Sequence, residues 1–133
     1  MSTEAQAQHA VLVVESEVLV RLVIAEFLRE CGFKVYEGAS AEEARAILES
    51  DRPIDIALID VRLEEQTAGF VLSQWIREHR PGVDVILTSG KRKTAERAEK
   101  LCDDGPLQKP YQPLEVLKRI NILLERRQTI REP

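Results

Sequence analysis

The sequence is poor in the features that mark secreted, metal-binding or membrane proteins. It has two cysteines in 133 residues, Cys31 and Cys102. Each is isolated near the end of a helical pattern, which favours buried free thiols over a disulfide or a metal site. No apolar run approaches membrane-spanning length, and residues 1–9 lack the basic segment and apolar core of a signal peptide. We therefore expect a cytoplasmic protein that makes no membrane contact.

Neither sign of charge is in large excess. The formal net charge is -4, which argues against direct binding of nucleic acid. The predicted turns after the strands have no Gly-rich phosphate cradle, which disfavours a nucleotide or flavin binder. The chain is 44% hydrophobic and 32% charged, enough apolar mass for one core. We predict one domain over residues 10–126, with flexible tails at 1–9 and 127–133.

Short apolar runs alternate with helical patterns along the chain, and Pro113 suits the first turn of the last helix. Ser40 and Glu43 form a capping box before the second helix. Such alternation produces right-handed crossovers and a parallel sheet. We predict an α/β fold with a doubly wound five-stranded parallel sheet of flavodoxin-like order 2-1-3-4-5, with helices on both faces. The predicted strands are 10–14, 33–37, 54–59, 83–87 and 107–109.

Helical spacing also predicts which residues face the core. On the first helix the predicted apolar face includes Val23 and Cys31. On the third, which we expect to begin after a loop over 62–69, it includes Val71 and Trp75. Ile122 points away from the core of the last helix. His9 is expected to be a solvated tail residue.

Candidate functional residues fall where the predicted strands end. Glu15 and Ser16 follow the first strand, Asp60 the third, Thr88 the fourth and Lys109 the fifth. The first and third strands flank the switch point of this sheet order, so Glu15 and Asp60 should meet there. Carboxylates with a backbone carbonyl suit Mg²⁺, and a hydroxyl and an ammonium suit phosphoryl oxygens. This set is suited to in-line phosphoryl transfer onto a carboxylate oxygen.

The pattern resembles the receiver domain of the two-component response-regulator family. The resemblance implies that Asp60 is the phosphoacceptor, Thr88 the switch hydroxyl and Lys109 the phosphoryl-oxygen ligand. It also implies that Mg²⁺ is held by Glu15, Asp60 and the Arg62 carbonyl, and that the Lys109–Pro110 bond is cis. It covers about residues 10–124 and rests on Val11-Leu-Val-Val-Glu15-Ser-Glu17, Ile56-Ala-Leu-Ile-Asp60-Val-Arg-Leu63 with Gly69-Phe70 behind it, Val85-Ile-Leu-Thr-Ser-Gly90 and Lys109-Pro110-Tyr111.

The chain departs from the family's pattern in two ways. The family places two Asp residues after the first strand, where this chain has Glu15 and Ser16. A hydroxyl is a poorer Mg²⁺ ligand than a carboxylate, so weaker metal binding is predicted. Pro106 stands where receivers commonly have an aromatic side chain that swings inward, and proline has no ring to swing. The switch is then reduced to Thr88 and the adjoining loop.

Other readings of these residues stay open. A helix N-terminal charge explains Glu15 about as well as metal binding does, and Ser16 fits a helix N-cap better than a metal ligand.

The leading functional hypothesis is a non-enzymatic receiver phosphorylated by a histidine kinase or phosphotransfer protein. With no second domain recognised in the sequence, we expect the output to be a changed protein–protein surface at the fourth helix, fifth strand and fifth helix, with a homodimer through the last helix. The alternative is a pseudo-receiver, a binding module that is not efficiently phosphorylated and keeps its partner after Asp60→Asn.

Overall fold

The computed structural model describes residues 8–63, 67–89, 107–108 and 112–131. The predicted helix over 91–102, Pro106, Lys109 and Pro110 lie outside these ranges. The elements are β1 (Ala10–Val14), α1 (Val18–Glu30), β2 (Lys34–Gly38), α2 (Ala41–Glu49), β3 (Ile56–Asp60), α3 (Ala68–His79), β4 (Asp84–Ser89), β5 (Leu107–Gln108) and α4 (Pro113–Arg131).

The strands form one parallel sheet in the order β2-β1-β3-β4-β5. The four longer strands confirm the predicted parallel α/β architecture and the order 2-1-3-4. The predicted fifth strand is represented by two residues, paired with Thr88 and Ser89 at the end of β4. Because all the strand pairs are parallel, the carboxyl ends of the strands lie at one edge of the sheet.

The core lies on both faces of the sheet because the central strands are apolar at successive positions. Leu12 and Val14 of β1 join a cluster under α2 and α3. Val11 and Val13, which point the other way, join a cluster under α1 and α4. Each large side chain buried in this way stabilises the fold by roughly 1.5–3 kcal/mol. Residues of β3 enter both clusters, so the strand that ends in Asp60 is held from either side.

Three helical residues predicted to be buried are exposed. Val23 and Cys31 of the first helical pattern lie outside the core, which α1 reaches through Ile24, Ala25 and Leu28. Cys31 is a free, exposed thiol at the end of that helix. Val71 is 63% exposed. In both helices the buried arc is narrower than the apolar pattern predicts: α1 buries Ile24, Ala25 and Leu28, and the buried arc of α3 is centred on Leu72 and Ile76.

Arg127 binds the C-terminal part of α4 to residues at or just before the starts of β3 and β4. Its guanidinium donates to the Asp84 carboxylate at 2.7 Å and to the Asp55 carboxylate at 3.1 Å. It also bonds the Asp55 and Gly82 carbonyls. Helix α4 therefore continues to Arg131, beyond the predicted domain boundary at 126.

Two helix starts have the predicted chemistry. The Ser40 hydroxyl accepts from the Glu43 backbone N–H at 3.1 Å, and α4 starts at Pro113, both as predicted.

His9 is not simply a solvated tail residue, because its carbonyl accepts from the Lys34 N–H. None of the helices described here has the length and hydropathy needed to cross a membrane.

Candidate functional site

Three buried polar side chains lie at the carboxyl edge of the sheet. Glu15 is 2%, Asp60 6% and Thr88 2% exposed. Asp60 and Thr88 are register partners across β3 and β4. Pairing of β1 with β3 ends at Val14 and Ile59, so Glu15 and Asp60 are the next positions along these two strands. The fold thus brings together three residues that are far apart in sequence.

The backbone around Asp60 is tightly held. The Asp60 Oδ1 accepts from the Arg62 N–H at 3.0 Å. The Val61 N–H donates to the Thr88 carbonyl at 3.1 Å, and the Val61 carbonyl accepts from the Gly69 N–H at 3.2 Å. Val61 therefore links the end of β3 both to β4 and to the start of α3. A carboxylate on such a support keeps its position relative to Thr88.

Gly69 makes the closest backbone approach to this strand. A Cβ added to Gly69 would lie 2.2 Å from the Asp60 carbonyl oxygen and 2.4 Å from the Val61 Cα. The contacted atoms are backbone, so they cannot move aside as a flexible side chain would. Only glycine lets the first turn of α3 lie directly against the backbone of Asp60 and Val61.

The Thr88 hydroxyl is buried and, within the part of the chain that the structure describes, has no hydrogen-bond partner. An unsatisfied buried hydroxyl costs about 1–3 kcal/mol. An oxygen-rich ligand bound beside Asp60 would supply the missing acceptor. This is a physical reason for Thr88 to respond to a change at Asp60.

Glu15 is bonded through both its backbone and its side chain. Its N–H donates to the Gly38 carbonyl at 3.0 Å. Its carbonyl accepts from Arg21 at 2.7 Å. Its Oε2 accepts from the Glu17 N–H at 3.1 Å. These contacts hold the Glu15 carboxylate at the start of α1.

Ser16 is exposed and does not cap α1. The N-cap residue of that helix is Glu17, which makes no side-chain capping bond. The predicted N-cap role of Ser16 is therefore wrong, because the helix starts one residue later than that role requires.

The donor set fits Mg²⁺. Glu15 and Asp60 supply two carboxylates at one edge, and Mg²⁺ is commonly bound through one or two carboxylates together with waters and phosphate oxygens. No group of three or more His, Cys, Asp or Glu side chains suited to a metal occurs among the residues described here. All the predicted site roles stay predictions: Asp60 as phosphoacceptor, Thr88 and Lys109 as phosphoryl-binding residues, and Glu15, Asp60 and the Arg62 carbonyl as metal ligands. The cis bond at Pro110 also stays a prediction.

Sequence reasoning missed Arg21 and the contact made by Gly69. Arg21 lies on α1, and no motif spacing connects it to the Glu15 carbonyl. Gly69 was noted only as part of a resemblance. Gly69 ends the predicted loop over 62–69, where a glycine gives no particular signal of close backbone approach, and its partner strand is known only once the chain is folded.

Comparison with known proteins identifies the family. Residues 11–121 match the model of the response regulator receiver domain. The transcriptional regulatory protein GltR of Pseudomonas aeruginosa is 30% identical over 123 residues, covering 90% of this chain and 50% of that protein. A receiver protein from Pseudomonas putida superposes with a TM-score of 0.77 at 27% identity, covering 86% of this chain and 97% of that one. A CheY-like receiver from Methanospirillum hungatei has the same fold, with a TM-score of 0.82 at 22% identity, covering 92% and 98%.

The chain belongs to the response regulator receiver domain family of two-component systems. Receiver domains are signalling modules that are generally not enzymes, interact with histidine kinases or phosphotransfer proteins, and generally bind Mg²⁺ at their acidic pocket. The chain spans about half the length of curated relatives such as GltR and PetR of Rhodobacter capsulatus.

Proposed function

We propose that Asp60 accepts a phosphoryl group from the phosphohistidine of a histidine kinase or phosphotransfer protein. The observation that supports this most is the register pairing of two buried residues, Asp60 and Thr88, at the carboxyl edge of the sheet. One residue offers a carboxylate nucleophile, and the other offers a hydroxyl without an acceptor in the described part of the chain.

The transfer exchanges one bond for another. An oxygen of the Asp60 carboxylate bonds to phosphorus while the bond from phosphorus to the donor's imidazole nitrogen breaks. The electron pair of that bond stays on the nitrogen, whose ring partner keeps its proton, so a neutral imidazole leaves. The Arg62 N–H already bonds Oδ1 of the acceptor and orients it. The product is an acyl phosphate on Asp60.

Glu15 and Asp60, with the Arg62 carbonyl, would hold Mg²⁺ in this site. When bound, the cation neutralises charge that develops on the phosphoryl oxygens. Ser16 stands at the position where the family has its second acid. The acidic corner, by which we mean the site formed by Glu15 and Asp60, therefore has one negative charge fewer than is usual for the family. Binding of the cation is therefore expected to be weaker than is usual for the family.

The partner surface next to the site is apolar. Leu19 is 76% exposed, and three neighbours on the first turns of α1 are exposed as well: Val18, Leu22 and Val23. The first turns of α1 follow directly after Glu15 in the sequence. We expect a protein donor that reaches the nearly buried Asp60 to contact these turns. An apolar face of the phosphodonor protein is the occupant that fits this patch.

Phosphorylation is proposed to act through Thr88. A phosphoryl oxygen on Asp60 gives the Thr88 hydroxyl an acceptor, and inward movement of Thr88 shifts the loop after β4. The output is then a changed protein–protein surface near the last helix. Exposed Leu114 and Ile122 on α4 offer apolar area for a homodimer.

Intact mass spectrometry after incubation with acetyl phosphate and Mg²⁺ tests the proposal. The protein should gain the mass of one phosphoryl group, and Asp60→Asn should gain none. Asp51→Asn, which alters an exposed acid away from the sheet edge, is the matched control and should be labelled like the unaltered protein. Absence of labelling, or labelling that persists in Asp60→Asn, would refute phosphoryl acceptance at Asp60.

A pseudo-receiver is the second candidate, favoured by Ser16 and by the absence of a three-acid cluster from the described residues. In that case the fold presents a constant binding surface. The discriminating result is partner capture that is equal for the unlabelled protein and Asp60→Asn, in a protein that takes up no phosphoryl group.

A further inference from the structure

We infer that Arg21 is a positioning residue for the acidic corner, the site formed by Glu15 and Asp60: it holds the Glu15 peptide and thereby keeps the Glu15 carboxylate in place at the start of α1. This rests on the proposed function, because it assigns Arg21 a role in preparing the same site for Mg²⁺. Arg21 itself touches neither the acceptor nor the metal.

Arg21 contacts both the acidic corner and β2, the outermost strand on that side of the sheet. Its Nη1 donates to the Glu15 carbonyl at 2.7 Å. Its Nε donates to the Glu37 carboxylate on β2 at 3.3 Å. The Arg21 side chain is 15% exposed, so the guanidinium is largely shielded from water. A planar fork with several donors can make both contacts together, which one lysine ammonium on a flexible stem does less well.

The acidic corner needs such a support because Glu15 lies beyond the end of the pairing between β1 and β3. Its N–H still pairs with Gly38, but its carbonyl lies past the last register pair of β1 with β3. The Glu15 side chain folds back to accept from the Glu17 N–H. Glu is one methylene longer than Asp and harder to hold in one orientation. The hydrogen bond from Arg21 to the Glu15 carbonyl holds the backbone from which this longer side chain extends.

A second arginine separates positioning from simple ion pairing. Arg29 lies on the same helix and donates to the same Glu37 carboxylate at 3.0 Å. Its other contacts are the Val35 carbonyl and the Glu26 carboxylate, neither of them part of the acidic corner. Arg29→Lys therefore disturbs the shared ion-pair network and leaves the Glu15 carbonyl bonded. It is a matched control for Arg21→Lys.

The experiment compares Arg21→Lys and Arg29→Lys by NMR during Mg²⁺ titration. Both substitutions keep the positive charge, so a difference between them reports geometry. Arg21→Lys should weaken Mg²⁺ binding about tenfold, as loss of an outer support of a ligand does. Amide hydrogen exchange at Glu17, whose N–H is bonded by the Glu15 carboxylate, should also become faster. Arg29→Lys should match the unaltered protein in both measurements.

Two results would overturn the inference: equal losses in both variants, which would place the effect in the Glu37 ion pairs, or no change in either. If the unaltered protein neither binds Mg²⁺ nor is labelled by acetyl phosphate, the proposed function fails instead. In that case the exchange rate of the Glu17 amide still decides whether Arg21 holds the corner.

Discussion

Replacement of Gly69 by alanine should damage the acceptor site and the fold together. The new Cβ would lie 2.2 Å from the Asp60 carbonyl oxygen and 2.7 Å from the Val61 carbonyl carbon. To regain an ordinary contact, either the start of α3 or the end of β3 must move by roughly 1 Å. Val61 donates to the Thr88 carbonyl, so movement of β3 is passed to Thr88 as well.

The magnitude follows from two opposing terms. Overpacking against backbone costs about 3 kcal/mol, the upper end of the usual range, because neither contacted atom can rotate away. Alanine regains about 0.8 kcal/mol of helix propensity. The net loss of unfolding free energy is therefore about 2 kcal/mol, which lowers Tm by about 8 °C in a domain of this size. A displacement of roughly 1 Å at a reacting group can also slow phosphoryl uptake up to about 100-fold.

Thermal unfolding and the rate of labelling by acetyl phosphate measure these two effects. Gly82→Ala is the matched control, since a Cβ there meets nothing within 4 Å and the backbone has no positive φ. That variant should be unchanged or slightly more stable. If Gly69→Ala unfolds and is labelled like the unaltered protein, the close packing of α3 on the acceptor strand is refuted.

Three other substitutions probe separate parts of the molecule. Ser16→Asp should raise Mg²⁺ affinity about tenfold by restoring a carboxylate to the corner; an unchanged titration would show that the residue at this position does not limit metal binding. Arg127→Met should lower the unfolding free energy by about 2 kcal/mol, because it strips partly buried Asp55 of a charged donor. Lys118→Met on the exposed side of α4 is its control in urea unfolding, and equal midpoints would contradict the role of Arg127. Leu19→Glu should slow transfer from a phosphohistidine protein and leave labelling by acetyl phosphate intact; slowing of both would place its effect on the site itself.

Patterns of local spacing account for the elements predicted correctly. The run Ala10–Val14 is apolar at each position, which suits a strand covered on both faces, and the structure buries all five residues. Ser40 and Pro113 mark helix starts because capping chemistry acts over three or four residues. Asp60 stood out for the same local reason, as an acid that ends a buried strand.

Other features depend on distances that local patterns do not contain. Val71 has the spacing of a core residue, yet the start of α3 is set by the packing of Gly69 on β3, which turns Val71 to solvent. Arg127 falls in a charged stretch typical of a loose tail, and its partners Asp55 and Asp84 are more than forty positions away.

The order of the residues alone determined the alternation of strands and helices, the parallel sheet, and the acids and hydroxyl at the strand ends, because hydrophobic period and turn chemistry are local properties. Only the tertiary structure decided that Arg21 supports Glu15, that Gly69 lies against Asp60, and which arc of each helix is buried. Those outcomes arise from close packing between segments remote in sequence, where a difference of one ångström or one helical position changes the neighbour.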